Sequence, residues 1–407
     1  MTGGAQLRIG LLRLTDAAPL IVAKELGRFA AEGLDVALSV EPSWANIADK
    51  LAYGLLDGAM ILPPLALAVR LGLSGSAGPE RVIVPASLSL NGNAVTLAEH
   101  LSAPVLAGSA ERRLSAIETA RRFAAVIRDR RERPHLAVVH TFSTHNLLLR
   151  YWLAAGGIDP ERDVTFTVVP PAETVAAMAA GKIDGFCAGA PWGEVAARAG
   201  LGHSVATSHG IWNNGTEKVL ALREALAERH PDRVQAALRA LLKAAIYCDT
   251  PAHAPLVAAV LAQKHYLDLP AEVILTSLPG AASRQAKVPF AGIDELVFFA
   301  NAATFPWRSH AQWFLREMAR WGYLEGARDP AGASAVFRPD LYAQAARSLG
   351  LPVPTTEIKT EGHHTQEWSL PAAPAPIHMG PDCFLDGARF DAAAPRDLCT
   401  CLRQAPA

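Results

Sequence analysis

Four short segments and one lysine carry the residues in this chain that could do chemistry: Glu41-Pro-Ser-Trp44, Asn91-Gly-Asn93-Ala94, Ser143-Thr144-His145-Asn146, Gly189-Ala190-Pro191-Trp192, and Lys218. Each segment follows what reads as a strand or opens what reads as a helix, the positions where open α/β sheets collect ligands. An ammonium, an indole N–H, an amide and an imidazole are donors, and together they suit a small anion that only accepts hydrogen bonds.

Lys218 follows the turn-rich stretch His209 to Gly215 and precedes the apolar run Val219 to Leu222. An ammonium beside a buried strand needs a partner, because an unpaired charge in apolar surroundings is costly. A bound anion is one candidate; an ion pair with adjacent Glu217, or a solvent-facing tip, is the other. His145 falls in the first turn of a helix that Ser143 or Thr144 can cap, where free backbone N–H groups favour negative charge. Its alternative is an ordinary packed histidine with one nitrogen satisfied by backbone. Trp44 and Trp192 could each wall a pocket and offer one indole N–H, or simply fill a core. Asn91-Gly92-Asn93 has turn composition, yet it lies between the apolar runs Val82–Leu90 and Ala94–Leu97, so an amide there would sit at a strand tip.

These residues need a scaffold of alternating elements. The sequence predicts strands at Leu7–Leu12, Leu34–Val40 and Val82–Leu90, with helices at Ala18–Ala31 and Ile47–Tyr53. A second series follows: a polar helix at Ser109–Arg131, a strand at Leu136–Val139, a helix at Thr144–Ala155, a strand at Val164–Val169 and a short helix at Glu173–Ala180. Such alternation implies βαβ units, mostly parallel sheets and an α/β fold. The expected organisation is two α/β lobes with a ligand cleft between them: residues 1–97 and 210–351 form lobe I, and 98–209 form lobe II. The connections fall near Thr96–Ala103 and Ser204–Ile211. Helices at Asp232–Tyr247, Pro251–Gln263 and Gln312–Trp321 return to lobe I, and residues 352–407, rich in Pro and Ala, form an extended tail packed on a lobe.

Composition excludes other classes. Lys plus Arg number 38 against 39 Asp plus Glu, so no overall field would hold nucleic acid or an anionic membrane. Five cysteines, at 187, 248, 383, 399 and 401, do not form a disulfide framework and suit a reducing compartment. The N-terminus enters a strand without a basic, apolar or cleavage region, and the longest apolar run, Gly58–Val69, has twelve residues with two prolines. A span needs about 20. The expected location is therefore cytoplasmic, with no membrane span. Motifs of serine hydrolases, nucleotide-binding loops and zinc peptidases are absent from the sequence. Cys399-Thr-Cys401 with His363-His364 fits no standard zinc spacing.

Taken together, Leu11 to Gly27, Pro42 to Asp57, Asn91 to Leu97, Thr144-His-Asn, Arg150 to Pro160 and Phe384 to Asp391 resemble the nitrate- and bicarbonate-binding proteins of bacterial ABC transporters. The resemblance implies a type II periplasmic-binding-protein fold and a pocket of Trp44, Asn93, His145, Gly189 and Lys218. It also implies nitrate or nitrite as ligand, because bicarbonate-binding relatives have an acidic residue in place of Lys218 and recruit calcium. No cofactor, metal or catalytic residue is then required. The family's Gly-Glu-Pro-Trp reads Gly189-Ala190-Pro191-Trp192 here, which removes a carboxylate. With no export signal in view, the chain is similar to a cytoplasmic nitrate/nitrite sensor that holds an RNA-binding antiterminator in check through lobe closure, without touching RNA itself. A substrate-binding component of an ABC transporter, or a domain fused to its ATPase, is the alternative. An enzyme acting on a pyridoxal cofactor is a third reading, for which no cysteine cluster or lysine motif is present.

Overall fold

In the computed structural model, residues 6–75, 81–109, 113–128, 130–281, 296–325, 327 and 332–394 are described. Two five-stranded sheets organise them. The first begins where the apolar run Leu7–Leu11 (β1) extends, with Leu7, Ile9 and Leu11 buried. Val36–Val40 (β2) pairs parallel to it, Leu7 opposite Val36, and Gly58–Ile61 (β3) flanks its other side. The helix expected over Ala18–Ala31 divides into Ala18–Glu25 (α1) and Arg28–Ala31 (α2), because Gly27 takes φ +66° and ends the first segment. Trp44–Ala52 (α3) starts at an N-cap, Ser43, whose hydroxyl accepts from the Asn46 N–H at 3.2 Å. The apolar run Gly58–Val69 separates into β3 and a buried helix, Pro63–Leu71 (α4), with Pro at its start.

Val82–Leu90 (β4) closes one edge of this sheet, and Thr216–Arg223 (β10) inserts antiparallel between β3 and β4. The second sheet has the order β7-β6-β8-β5-β9, built from Asn93–Ala98 (β5), His135–Val138 (β6), Thr165–Val168 (β7), Gly185–Gly189 (β8) and Gly202–Thr207 (β9). Here β5 runs antiparallel to β8 and β9. Both sheets are thus mixed rather than mostly parallel: β5 and β10 enter from the opposite sheet's end of the chain path. Glu99–Leu106 (α5), a polar-capped Ala116–Ile127 (α6) and Thr144–Ala155 (α7) complete the layers around the second sheet. The expected polar helix from Ser109 begins at Ala116, after the capping box of Ser115 and Glu118.

The chain passes from the first sheet to the second at Asn91-Gly92, both with positive φ (63° and 92°), and returns through Trp212 to Gly215. The first crossing therefore precedes the junction expected at Thr96–Ala103, since those residues already pair within the second sheet or open α5. Gly92 leaves no room for a side chain: a Cβ there would meet Leu296 Cδ2 at 2.3 Å. The long helix Pro231–Asp249 packs on α1 and α2. Among the described residues no single helix is long and apolar enough to cross a membrane. The pair Pro231–Asp249 and Pro251–Leu261 has the length and composition but bends by 86°, and its Val234, Leu238, Leu241 and Leu261 are buried.

From Val353 the chain makes short two-residue and three-residue strands paired with one another. This segment lies over the return crossing. Trp212 stacks on Phe384 at 5.2 Å, the Asn213 N–H donates to Cys383 O, and Asn214 Nδ2 donates to Pro381 O at 2.8 Å. Cys399 and Cys401 lie outside the described residues.

Candidate functional site

Two helix starts of the same design approach the neighbouring residues Glu217 and Lys218. After β2, Ser43 caps α3 and places Trp44 at its first position; after β6, Ser143 caps α7, accepting from the Asn146 N–H at 2.9 Å, and places Thr144 and His145 there. Asn93 opens β5 directly opposite Gly189, the last residue of β8. Lys218 sits opposite Ser89 in β10. All are buried: Trp44, Thr144, His145 and Lys218 at 0% exposure, Asn93 at 1%.

Lys218 and Glu217 are consecutive in a strand and would ordinarily point to opposite faces. A register shift against β4, with Thr216 opposite Leu90 and Lys218 opposite Ser89, makes Glu217 an extra residue in a bulge. Both side chains then reach the same compartment. Lys218 Nζ donates to Glu217 Oε1 at 2.8 Å and lies 3.5 Å from Asp16 Oδ1. Asp16 belongs to the short turn Thr15–Ala17 after β1, and its Oδ1 also accepts from Ser89 Oγ at 2.8 Å. The ammonium lies 6.0 Å from the centre of the Trp44 ring. Burial alone would disfavour the ammonium, but Asp16 and Glu217 hold its pKa above the ordinary value.

His145 Nε2 lies 3.8 Å from Glu217 Oε1. Burial, and secondly Lys218, push its pKa well below the usual range, so the ring is neutral, with one N–H and one bare nitrogen. Trp44 Nε1, Asn93 Nδ2 and Oδ1, Thr144 Oγ1 and both nitrogens of His145 are buried without a hydrogen-bond partner among the described residues. Buried polar groups are rarely left so. A dense group of unsatisfied donors beside a buried ammonium is what a small anion would complete, each donor contributing about 1 kcal/mol and the charged one about 1.5–3. Gly189 lets these groups approach closely: a Cβ would lie 3.2 Å from Leu14, 3.3 Å from Asp16 Oδ2 and 3.4 Å from Asn93 Oδ1, tighter than ordinary contact.

All five residues singled out from sequence, Trp44, Asn93, His145, Gly189 and Lys218, border this compartment or its immediate partners. Trp192 does not present its indole there, since Nε1 donates to Arg13 O at 3.1 Å. Glu41 is held by Lys50 and Ser39. Sequence reasoning does not reach Asp16 as a wall residue, and it offers Glu217 as a partner of Lys218 without its link to His145. Asp16 has one legible signal, a carboxylate in the short turn that follows a buried strand. Among the described residues no group of three or more His, Cys, Asp or Glu could hold a metal ion.

Contacts join the two sheet units around the compartment. The Thr15 N–H donates to Ala190 O at 3.0 Å, and Asn146 Nδ2 donates to Tyr323 OH at 3.0 Å. Residues 2–262 match the NMT1-like family. The chain belongs to this family. It is 32% identical over 396 residues to the nitrate/nitrite binding protein NrtA of Synechococcus elongatus, covering 95% of this chain and 84% of that protein. It is 37% identical over 352 residues to the nitrate import ATP-binding protein NrtC of Synechocystis sp., covering 85% of this chain but 50% of NrtC. The chain thus spans about half the length of that relative. The crystal structure of the periplasmic nitrate-binding protein NrtA from Synechocystis PCC 6803 superimposes with a TM-score of 0.78 at 27% identity, covering 99% of this chain and 98% of that one. The α/β fold of two mixed sheets is therefore a periplasmic-binding-protein fold.

Proposed function

We propose that this member of the NMT1-like family is a nitrate- or nitrite-binding protein, not an enzyme, and that it closes two lobes around its anion. The observation that carries the reading is the fully buried Lys218 ammonium among unsatisfied donors of Trp44, Asn93, Thr144 and His145. A planar monoanion with acceptors alone would be held by several of these at once. The similarity to NrtA along most of its length supports the same ligand class. Calorimetric titration with nitrate, nitrite and bicarbonate, the last with and without calcium, tests it. Nitrate or nitrite binding without calcium is expected; calcium-dependent bicarbonate binding, or none, would overturn it.

The lobes of this proposal are residues up to the crossing at Asn91-Gly92 together with those from Trp212 to about 351, and the segment between the crossings. Because the lining residues are buried, exchange of a ligand requires the lobes to part. A ligand shifts such an equilibrium by its differential affinity for the two forms. On this basis the chain acts as a cytoplasmic sensor: the open form binds an RNA-binding antiterminator, and anion-driven closure releases it, with no nucleic-acid contact, metal or cofactor of its own. Reciprocity requires the partner to weaken anion binding by the same factor. The near balance of 38 basic and 39 acidic residues supports the absence of direct RNA binding. Size-exclusion chromatography of the two proteins together tests the sensor: nitrate should dissolve the complex, and a complex that survives it refutes the role. The alternative, a binding component of a nitrate importer, is favoured by the match to NrtA and to half of NrtC, and predicts capture by the permease instead.

A further inference from the structure

One wall of the compartment is wrong for a simple anion trap. Asp16 is fully buried, and its Oδ2 has no hydrogen-bond partner among the described residues. That oxygen faces the bare Cα of Gly189, 3.3 Å from where a Cβ would stand, with the unsatisfied Asn93 Oδ1 at 3.4 Å from the same point. Its sister oxygen is committed to Ser89 Oγ and to Lys218. Lys218 is meanwhile held more closely by Glu217, at 2.8 Å against 3.5 Å for Asp16. Asp16 thus shares the ammonium with Glu217 through one oxygen, while the other brings a negative charge and a bare acceptor to the side of the site where an anion would lie.

Resting on the anion-binding reading above, we propose that Asp16 is the specificity-determining residue of this site: it sets the charge of the ligand. Repulsion between a fixed carboxylate and a bound anion scales with the charge of that anion. A monoanion with its charge spread over several oxygens tolerates it, given the donors of Trp44, Asn93, Thr144 and Lys218. A dianion such as sulfate meets twice the repulsion from Asp16. Donors alone would favour sulfate, which is doubly charged and acceptor-only; the carboxylate reverses that order.

The test compares wild type with Asp16→Asn, titrating nitrate and sodium sulfate by calorimetry at low chloride, with Lys218→Met as the control for the anion-binding reading. Wild type should bind nitrate and show no sulfate binding. Asp16→Asn should bind nitrate about tenfold more tightly or better, and should acquire sulfate binding, shifting the nitrate-to-sulfate ratio toward sulfate by about tenfold or more. A purely structural role would lower nitrate affinity in Asp16→Asn and leave sulfate unbound, which would overturn the proposal. Asp16→Glu, which keeps the charge, should still exclude sulfate, and sulfate binding by it would overturn the proposal as well. If wild type binds no nitrate and Lys218→Met is indistinguishable from it, the anion-binding reading itself has failed. If wild type binds nitrate but Asp16→Asn discriminates as wild type does, the role of Asp16 has failed alone.

Discussion

Replacing Lys218 by Met removes the ammonium and keeps most of the side-chain volume, so it isolates charge from packing. In the folded chain that ammonium is fully buried, 2.8 Å from Glu217 and 3.5 Å from Asp16. Its loss leaves two buried carboxylates without their shared cation, and breaking a buried pair in this way typically costs about 3–5 kcal/mol of stability. The cost to anion binding is separate: one charge-assisted hydrogen bond, about 1.5–3 kcal/mol, or roughly 10-fold to 150-fold in dissociation constant. A single variant would mix the two effects, so Lys218→Met is compared with Lys218→Met/Glu217→Gln. The second substitution removes one stranded carboxylate and should recover a sizeable part of the lost stability in chemical denaturation. It should leave nitrate affinity at least about tenfold below wild type, because the cation is still missing. Wild-type stability in Lys218→Met would show that the buried triad is not ionic. Wild-type affinity in the double variant would show that Lys218 does not touch the ligand.

Trp44→Phe keeps the ring and deletes the one indole N–H facing the compartment, so nitrate should bind about fivefold more weakly by calorimetry while the denaturation midpoint moves little; an unchanged affinity would place the anion elsewhere. His140 is held neutral, its pKa pushed down to about 4 by burial, and its Nδ1 accepts from the Phe142 N–H at 3.0 Å. The unfolded chain takes up this proton first, so the site costs stability as pH falls from about 6.5 to about 4, up to about 3 kcal/mol, and His140→Asn should flatten that slope of denaturation midpoint against pH. In the C-terminal segment Lys359 is bonded to Glu361 and to Asp382, and Asp382 accepts from Trp212 Nε1 at 3.2 Å. Lys359→Met should therefore cost about 3–5 kcal/mol and loosen the segment over the return crossing, read as faster amide exchange at Trp212 to Asn214.

The sequence made the alternation of elements legible because buried strands and capped helices leave short-range marks: Val82–Leu90 is a mostly apolar run, interrupted by Pro85, Ser87 and Ser89, and Ser143 before Thr144 is a cap signal. It misplaced the first crossing because Asn91-Gly92 looks like a turn within one unit, while its positive φ values serve a passage between two sheets. It also implied parallel sheets, since nothing local in β5 or β10 reveals that they arrive from the far side of the chain and must run antiparallel. The C-terminal segment could be read as extended, but its attachment to Trp212 depends on pairings across about 170 residues.

The site was legible in its donors and not in its acceptors, and the reason is physical. Donor residues such as Trp44, Asn93, His145 and Lys218 stand out against a strand end or helix start, where chemistry favours them. A carboxylate in the first turn after a strand looks like an ordinary helix-start residue, and Asp16 has that appearance. Its meaning comes from Gly189 and Asn93, 173 and 77 residues away, which leave its outer oxygen without a partner. Glu217 was obscured in the same way: alternation assigns it to the face opposite Lys218, and a one-residue bulge against β4 brings both to one side. The ammonium is thus partly neutralised before any ligand arrives. Affinity in such a compartment depends on neutral donors supplying most of the hold, while the charges set which anion is admitted.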